Sequence, residues 1–550
     1  MMQKKGSSFG FINKMSERLS KFFDKQNSVE NENPRPSDIK SPVVKKPNNK
    51  SEKLTAVSNT GIKSKNLDAD TQGRKVGKNI PKKIESKINS NSSQLKSGYN
   101  IKETIEYLNE IVKKYHFSSI ETQNQFDTSD ENELSNRFLT ASSWFKDKLN
   151  DNSNIESLCI GYDLGSTSTK IVLRFPYNAN LGAFAVPAPP SLQADGNPYF
   201  WKTQVSCSKN DQFSLIANGT AAYKSSLKLD FLRATEARRS NDLSITDEDI
   251  YITAYMALMI RQSLGWLIAQ LSKALHGKRL EISANFGLPT ERIDNSMSAT
   301  FLLCCNAAMT LATSDSIISR SAVSDAIEKA RHKPKKYVVK IIPEFIGAVY
   351  GFFNSTRRRN GQFMLLDIGG LTCDCTCFGF FERDDGTSVI KIFNGRVRNF
   401  GSDVVNVAVQ GNLGKSDLTP ALGSFVAKTL IASRPRIGPH ASIWGNEMPV
   451  FKIGGGINNN LFQGMFAWAE NNLKNSTFKT EFMEEKISIE KNTIDISLAV
   501  DGSCDRLLVG LGLSYSNYDL PDWLLSGELN IIPELPRRDL EGLFVGPEQT

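Results

Sequence analysis

Histidine is scarce, with four in 550 residues, and the eight cysteines (159, 207, 304, 305, 373, 375, 377 and 504) show no zinc-ligand spacing. Most of these cysteines sit inside apolar runs, which argues against a structural zinc or a disulfide framework and for a reducing compartment. Long apolar runs are missing too. No uninterrupted stretch approaches the roughly 18 residues of a membrane span, and the first residues lack the apolar core of a signal peptide. The expectation is a cytoplasmic protein, soluble or peripheral to a membrane. RGG repeats and interleaved aromatics are also lacking, which weakens a nucleic-acid reading of the +8 net charge.

That charge is uneven. Residues 1–100 hold 21 Lys/Arg against 9 Asp/Glu, which leaves 101–550 at −4. Residues 27–98 are rich in Asn, Ser, Lys and Pro and poor in aromatics, so they cannot bury enough apolar surface to offset the entropy of ordering. A basic, mostly disordered extension over 1–100 is expected, serving chiefly as a solvated spacer. Within it, Phe11, Ile12, Met15, Leu19, Phe22 and Phe23 recur at helical spacing opposite Lys14, Arg18, Lys21 and Lys25. That pattern predicts a basic amphipathic helix near 9–25 that docks a protein partner or a membrane surface.

Residues 101–154 carry two helical patterns, read as a helical hairpin on the edge of the core. From about 155 the texture alternates: apolar strands near 158–162, 171–175, 281–287, 337–342, 363–368, 373–380 and 450–453, with helices over 249–275 and from about 461. Such alternation predicts an α/β fold. Residues 518–550 mix Pro, acids and bulky apolar groups without clear period and are read as an arm on the domain or a partner-binding tail.

One stretch, "LCIGYDLGSTSTKIVLRF" (158–175), runs from an apolar strand to Asp163, through Gly165, Ser166 and Thr167, past Lys170 and into a second strand. Alone it is an ordinary hairpin turn. The pattern returns at "FMLLDIGGLTCDCTCF" (363–378), with Asp367 at the strand end, Gly369 and Gly370 in the turn, and Thr372 after them. Glycines let backbone N–H groups approach phosphate oxygens, hydroxyls add donors, and each aspartate can hold a hydrated divalent cation. Two such tips facing each other form a clamp for a nucleoside triphosphate. A third segment, "VFKIGGGINNNLFQGMFAW", carries Gly454, Gly455 and Gly456 between a strand and a helix, a place for a flat ligand against bare backbone. "IIPEFIGAVYG" (341–351) and "DRLLVGLGLSY" (505–515) read as helices with small residues Gly347, Ala348, Gly510 and Gly512 where two helices cross closely.

In order and type these five segments resemble the phosphate-1, connect-1, phosphate-2, adenosine and connect-2 motifs of the actin, heat-shock chaperone and sugar-kinase superfamily of ATPases. The resemblance covers about 155–517. "DLGSTSTK" is similar to bacterial actin-like (ParM-type) proteins, whereas "IIPEFIGAVYG" and "DIGGLTCD" look closer to DnaK-like chaperones. It implies a two-lobed core of duplicated ribonuclease H-like domains that binds ATP and Mg2+. By the same resemblance Asp163 and Asp367 sit on the hydrated magnesium, with Asp367 near the attacking water. Ser166, Thr167 and Thr372 donate to phosphates, Lys170 neutralises phosphate charge, and Gly454, Gly455 and Gly456 flank the adenosine. Glu344 helps place metal and water, and Asp374 is a further metal-side acid. Strand alternation puts Asp374 on the face of Thr372 and Thr376, opposite Cys373, Cys375 and Cys377. The alternative for Asp374 is a solvated strand residue; the cysteines read as buried small hydrophobes. Lys228, in a stretch similar to the chaperone segment leading to a phosphate-contacting lysine, has an exposed helix lysine as its alternative.

The resemblance implies a slow Mg-dependent ATPase acting as a switch whose nucleotide state controls a partner. Only some thirty residues follow the connect-2 match, so no chaperone-style peptide-binding domain is expected there. A polymerising actin-like filament is the alternative. A small-molecule kinase lacks an identifiable acceptor-activating carboxylate, and a non-hydrolysing scaffold is disfavoured by the presence of both aspartates and Glu344. The partner is expected to engage the N-terminal extension or the C-terminal arm.

Overall fold

The computed structural model describes residues 101–114, 128–148, 154–216, 223–238, 244–293, 296–332, 336–437, 447–474, 480–489, 493–496 and 504–529. The disordered extension and amphipathic helix read in 1–100, and residues 530–550 of the C-terminal arm, lie outside them. In chain order the helices are α1 (Ile101–Lys114), α2 (Thr128–Lys148), α3 (Leu227–Ala237), α4 (Asp247–Gln270), α5 (Ser296–Ala312), α6 (Arg320–His332), α7 (Glu344–Phe353), α8 (Ser402–Gln410), α9 (Lys415–Ile437), α10 (Asn460–Lys474) and α11 (Leu508–Leu513).

The strands are β1 (Asn154–Asp163), β2 (Ser168–Arg174), β3 (Ala183–Ala185), β4 (Trp201–Lys202), β5 (Gln204–Cys207), β6 (Phe213–Ser214), β7 (Tyr223–Ser225), β8 (Lys278–Leu288), β9 (Val338–Pro343), β10 (Gly361–Ile368), β11 (Cys373–Glu382), β12 (Ser388–Arg398), β13 (Glu447–Ile453), β14 (Glu481–Glu485) and β15 (Asp522–Leu524). They form two large sheets. The first has the order β3-β2-β1-β8-β9, with β4 also pairing β2; the second is β14-β13-β10-β11-β12-β15. A small sheet, β6-β5-β7, is inserted in the first half.

The two large sheets repeat one plan. In each, the first two hairpin connections are antiparallel (β1–β2–β3 and β10–β11–β12) and the later strands add in parallel (β1–β8–β9 and β10–β13–β14). Parallel addition needs crossover helices, which cover the sheet faces. Strand alternation accordingly sorts the second sheet's side chains. Met364, Leu366 and Ile368 join Cys373, Cys375 and Cys377 under α8, α9 and α10, while Phe363, Leu365, Phe378 and Phe380 pack towards α7 and α11. The three cysteines are thus buried small hydrophobes, and all seven described cysteines are free thiols.

In the first half, α4 starts with a capping box in which Asp249 N donates to the Thr246 hydroxyl and Thr246 N to the Asp249 carboxylate. Among the described residues it is the one helix long and apolar enough to cross a membrane, but its most apolar stretch is 89% buried inside the fold. Arg261, fully buried on α4, donates to the carbonyls of Ala312 and Ser316 at 3.2 and 2.9 Å, closing the end of α5.

Several expectations change. "IIPEFIGAVYG" is not wholly helical: Val338–Pro343 is a strand and the helix begins at Glu344. The two helices after residue 101 pack on different helices, α1 on α8 and α9 and α2 on α4, and not as a hairpin on one edge. The C-terminal arm adds β15 in parallel to the edge strand β12.

Candidate functional site

β1 ends at Asp163, whose cross-strand partner on β2 is Lys170. The two form an ion pair of 3.2 Å with both side chains largely buried. Between them the chain reverses over 164–167, and Thr203 anchors the tip: its hydroxyl donates to Gly165 O at 2.9 Å, and its N–H donates to Thr167 O at 3.3 Å. Gly165, Ser166 and Thr167 therefore project from a braced hairpin tip.

The second tip follows the same logic. Asp367 on β10 faces Asp374 on β11 in register, and Gly369 N donates to Thr372 O at 2.9 Å to close the turn. The start of α8 braces it, with Ser402 N donating to Gly369 O at 2.9 Å and Asp403 N to Gly370 O at 2.8 Å. The tips meet at Gly370. A Cβ there would lie 2.7 Å from the Asp403 carboxylate and 3.0 Å from the Thr167 methyl, so a larger residue would have to push these side chains aside.

The third glycine segment joins them from behind β10. Gly456 N donates to Ile368 O at 2.9 Å. Gly454 has φ +92°, a conformation few other residues adopt, and a Cβ on it would collide with the Asp367 carboxylate. Gly455 lies against the Arg506 guanidinium, which stacks 4.2 Å from the Phe200 ring centroid and pairs with Asp195 at 3.2 Å.

Glu344, at the first turn of α7, and Lys228 on α3 form a nearly buried ion pair of 2.6 Å. Glu344 packs over Gly287 at the end of β8, where a Cβ would come within 2.7 Å of its Cγ. Burial raises the Glu344 carboxyl above its usual range, Lys228 opposes the rise, and Asp163 and Asp367 add to it. For Lys228 burial works downward, but Glu344, with Asp374 and Asp163 adding to it, leaves the ammonium above its ordinary value. Burial, then Asp163, raises Asp367, against the pull of Lys170, Lys228 and Arg506. Asp374 is also raised well above the ordinary carboxylate range, by burial and then by Glu344 and Asp367. Its Oδ1 is shut from solvent and finds no hydrogen-bond partner among the described residues.

The structure thus gathers Asp163, Lys170, Asp367, Asp374, Glu344 and Lys228 with the three glycine turns, Gly165 to Thr167, Gly369 to Thr372 and Gly454 to Gly456. Lys228 is a buried residue of α3 and not an exposed helix lysine. Among the described residues no three His, Cys, Asp or Glu side chains converge as a group that could hold a metal ion directly. Sequence reasoning missed Thr203, Phe200, Gly287 and Arg506. Arg506 stood inside the quoted "DRLLVGLGLSY", but nothing local marks its distant partners. A separate cavity of about 330 Å³, lined by Tyr350, Arg358, Phe380, Thr387, Tyr518 and Asp522 among others, lies at the far end of α7, away from the turns.

No protein-family model matches the sequence, and no curated relative does. Among solved structures, the apo pSK41 ParM protein is similar at a TM-score of 0.30 and 14% identity, over 66% of this chain and 96% of that one. A similarity of that size carries no argument about architecture or activity.

Proposed function

We propose that the chain is a two-lobed, actin-like ATPase of duplicated ribonuclease H-like halves, a switch whose nucleotide state controls a partner. The observation that carries this reading is the meeting of two aspartate-ended glycine tips at Thr167 and Gly370, with a third glycine turn against Asp367. The repeated strand order of the two sheets supports it.

ATP fits as substrate. Backbone N–H groups at Gly165 to Thr167 and Gly369 to Thr372, with the hydroxyls of Ser166, Thr167 and Thr372, supply donors to phosphate oxygens, and Lys170 adds a cation beside the first tip. Gly454, Gly455 and Gly456 leave bare backbone for the nucleoside.

The donor set also fits a hydrated divalent cation. Asp163 is close enough to raise the proton affinity of Asp367, and Asp367 that of Asp374, and the Asp374 Oδ1 lacks a partner among the described residues. These carboxylates would hold magnesium through its waters, and the bound ion supplies charge neutralisation for the phosphates. Burial and then Asp163 raise the Asp367 carboxyl above its ordinary range, which makes it a better proton acceptor, and with its place beside the Gly369 turn this supports Asp367 as the base. The Lys228–Glu344 pair orients the acidic side of the site, with Lys228 opposing the burial that raises the Glu344 carboxyl. Hydrolysis then relaxes the contacts between the tips and lets the halves separate. Partner engagement through the N-terminal extension or the C-terminal arm, in the cytoplasm or at a membrane surface, belongs to the same proposal.

The test is nucleotide binding and turnover by the purified chain. Slow MgATP hydrolysis is expected, with Asp367→Ala keeping nucleotide affinity but losing at least about 100-fold in turnover. Unchanged turnover and magnesium dependence in both Asp367→Ala and Asp163→Ala would refute the assignment.

A further inference from the structure

β8 ends at Leu288, and the short turn that follows it, Thr290–Arg292, leaves the first sheet and meets the second. Glu291 accepts from Val397 N on β12 at 2.7 Å and pairs with Arg398 at 3.4 Å. Thr376 on β11 donates its hydroxyl to that of Thr290 at 3.2 Å. The Thr290 side chain also fills the space over Gly395 of β12, where a Cβ would stand 2.7 Å from the Thr290 methyl. Arg292 pairs with Glu236 on α3, the helix that carries Lys228. Three successive residues thus reach β11, β12 and α3.

The strand register places these contacts at the acid group. Asp374 lies directly across from Val397, and Thr376 across from Gly395. Asp374 and Thr376 share one face of β11, so the turn rests on the register positions of Asp374 and of its next same-face neighbour. β15 pairs with β12 only from Val389 to Lys391. The Val397 N–H therefore stands on an edge that no described strand covers, and Glu291 supplies its acceptor. Gly287, three residues before Thr290, lies under Glu344. One short stretch, Gly287 to Arg292, accordingly touches Glu344, the strands around Asp374 and the helix of Lys228.

We propose that Thr290 and Glu291 are positioning residues that hold Asp374 in place relative to the Lys228–Glu344 pair, with Arg292 bracing their turn on α3. Asp374, Asp367 and Glu344 are acids crowded into one buried space, and like charges there push their strands and helix apart, so the group needs a fastening from outside it. The turn supplies one. It acts on the placement of the acids and not on the glycine turns that take the nucleotide, so its loss falls on kcat and not on KM. The effect on turnover rests on the ATPase reading above; the hold on the two strands does not.

The test compares Glu291→Ala with Glu291→Gln in the full chain. Both remove the charge, and only glutamine keeps an oxygen to accept from Val397 N, so the difference between them isolates the hydrogen bond. Glu291→Ala should lower kcat for MgATP by about 10- to 100-fold with KM within about twofold, and Glu291→Gln should recover all but about threefold. Hydrogen exchange at Val397 and over Asp374 to Thr376, which needs no nucleotide, should quicken by about tenfold or more in Glu291→Ala and stay near the parent's rate in Glu291→Gln. Gly395→Ala drives a methyl into Thr290 and should lower kcat in the same way. Combined with Thr290→Gly it should lose less than the product of the two single losses. A parent that binds no nucleotide overturns the ATPase reading, and exchange alone then decides whether the turn holds Asp374. Unchanged exchange in Glu291→Ala overturns the proposal whether or not nucleotide binds. In a parent that hydrolyses ATP, equal kcat losses in Glu291→Ala and Glu291→Gln, or none in either, overturn it as well.

Discussion

Asp374 stands directly across from Asp367 on the neighbouring strand, and both carboxyls are raised by burial. The sign of the consequence is definite. A carboxyl whose folded pKa lies above its unfolded value, near 3.8, gives the native state more bound protons between the two values. Stability therefore falls as pH rises through that window and stays reduced above it. Asp374→Asn removes the buried charge. It should raise Tm at pH 7 above that of the parent and flatten the decline that sets in above the unfolded value, while magnesium-dependent turnover drops by about 100-fold or more. Calorimetry across pH 5 to 8 checks it; a Tm at or below the parent's at pH 7 contradicts the charge conflict. The face that Asp374 occupies was legible from strand period alone, since the alternate positions Cys373, Cys375 and Cys377 are apolar. Glu344 and Lys228 were site candidates through the family resemblance, but their pairing with each other beside Asp374 was not legible, because they arrive from helices separated from it by tens to more than a hundred residues.

At the scale of elements, the α7–α11 crossing governs how the halves join. Gly512 and Gly347 bring the two backbones into direct contact, so a Cβ at Gly512 collides with the Gly347 carbonyl, and Gly161 of β1 lies equally close to Gly510. Gly351, on the same α7, has open space around its would-be Cβ. The pair makes a sharp test by denaturant unfolding. Gly512→Val should cost at least about 1–3 kcal/mol through overpacking, while Gly351→Ala should stabilise by about 0.5–1 kcal/mol through helix propensity. Equal effects of the two substitutions would show that the crossing tolerates separation. The small residues of this crossing were readable in sequence because close helix contact demands them. By contrast α9 carries Pro420 and Pro435 inside its span, a local signal against the helix that the surrounding apolar contacts override.

For the whole molecule, the point where the folded core begins follows from α1. Leu108 and Val112 are buried with the second half's core, so a chain starting at residue 100 should keep its melting transition and turnover, whereas one starting at 150 loses both helices and should melt at least several degrees lower. Thermal melts of the two truncations measure this; matching melts would mean that α1 and α2 contribute nothing. The basic amphipathic pattern of residues 9–25 makes a separate prediction. Replacing Phe11, Leu19 and Phe22 with Ser should abolish capture of a protein partner or of anionic vesicles and leave basal hydrolysis unchanged. Pull-down and flotation distinguish the two surfaces, and retention of both interactions would make the pattern incidental.

The α/β class, the two aspartate-ended turns, the glycine segment at 454–456 and the close helix crossing were all determined by local sequence, because each depends on period, turn chemistry or side-chain size within a dozen residues. What only the tertiary structure decided depends on long-range approach. It placed Thr167 against Gly370, paired Lys228 with Glu344 across 116 positions, and brought Arg506 to Asp195 and Gly455. It also split α1 and α2 between the two halves. In those cases the residue types are common and their spacing carries no period, so their partners emerge only when the two sheets and the helices between them pack.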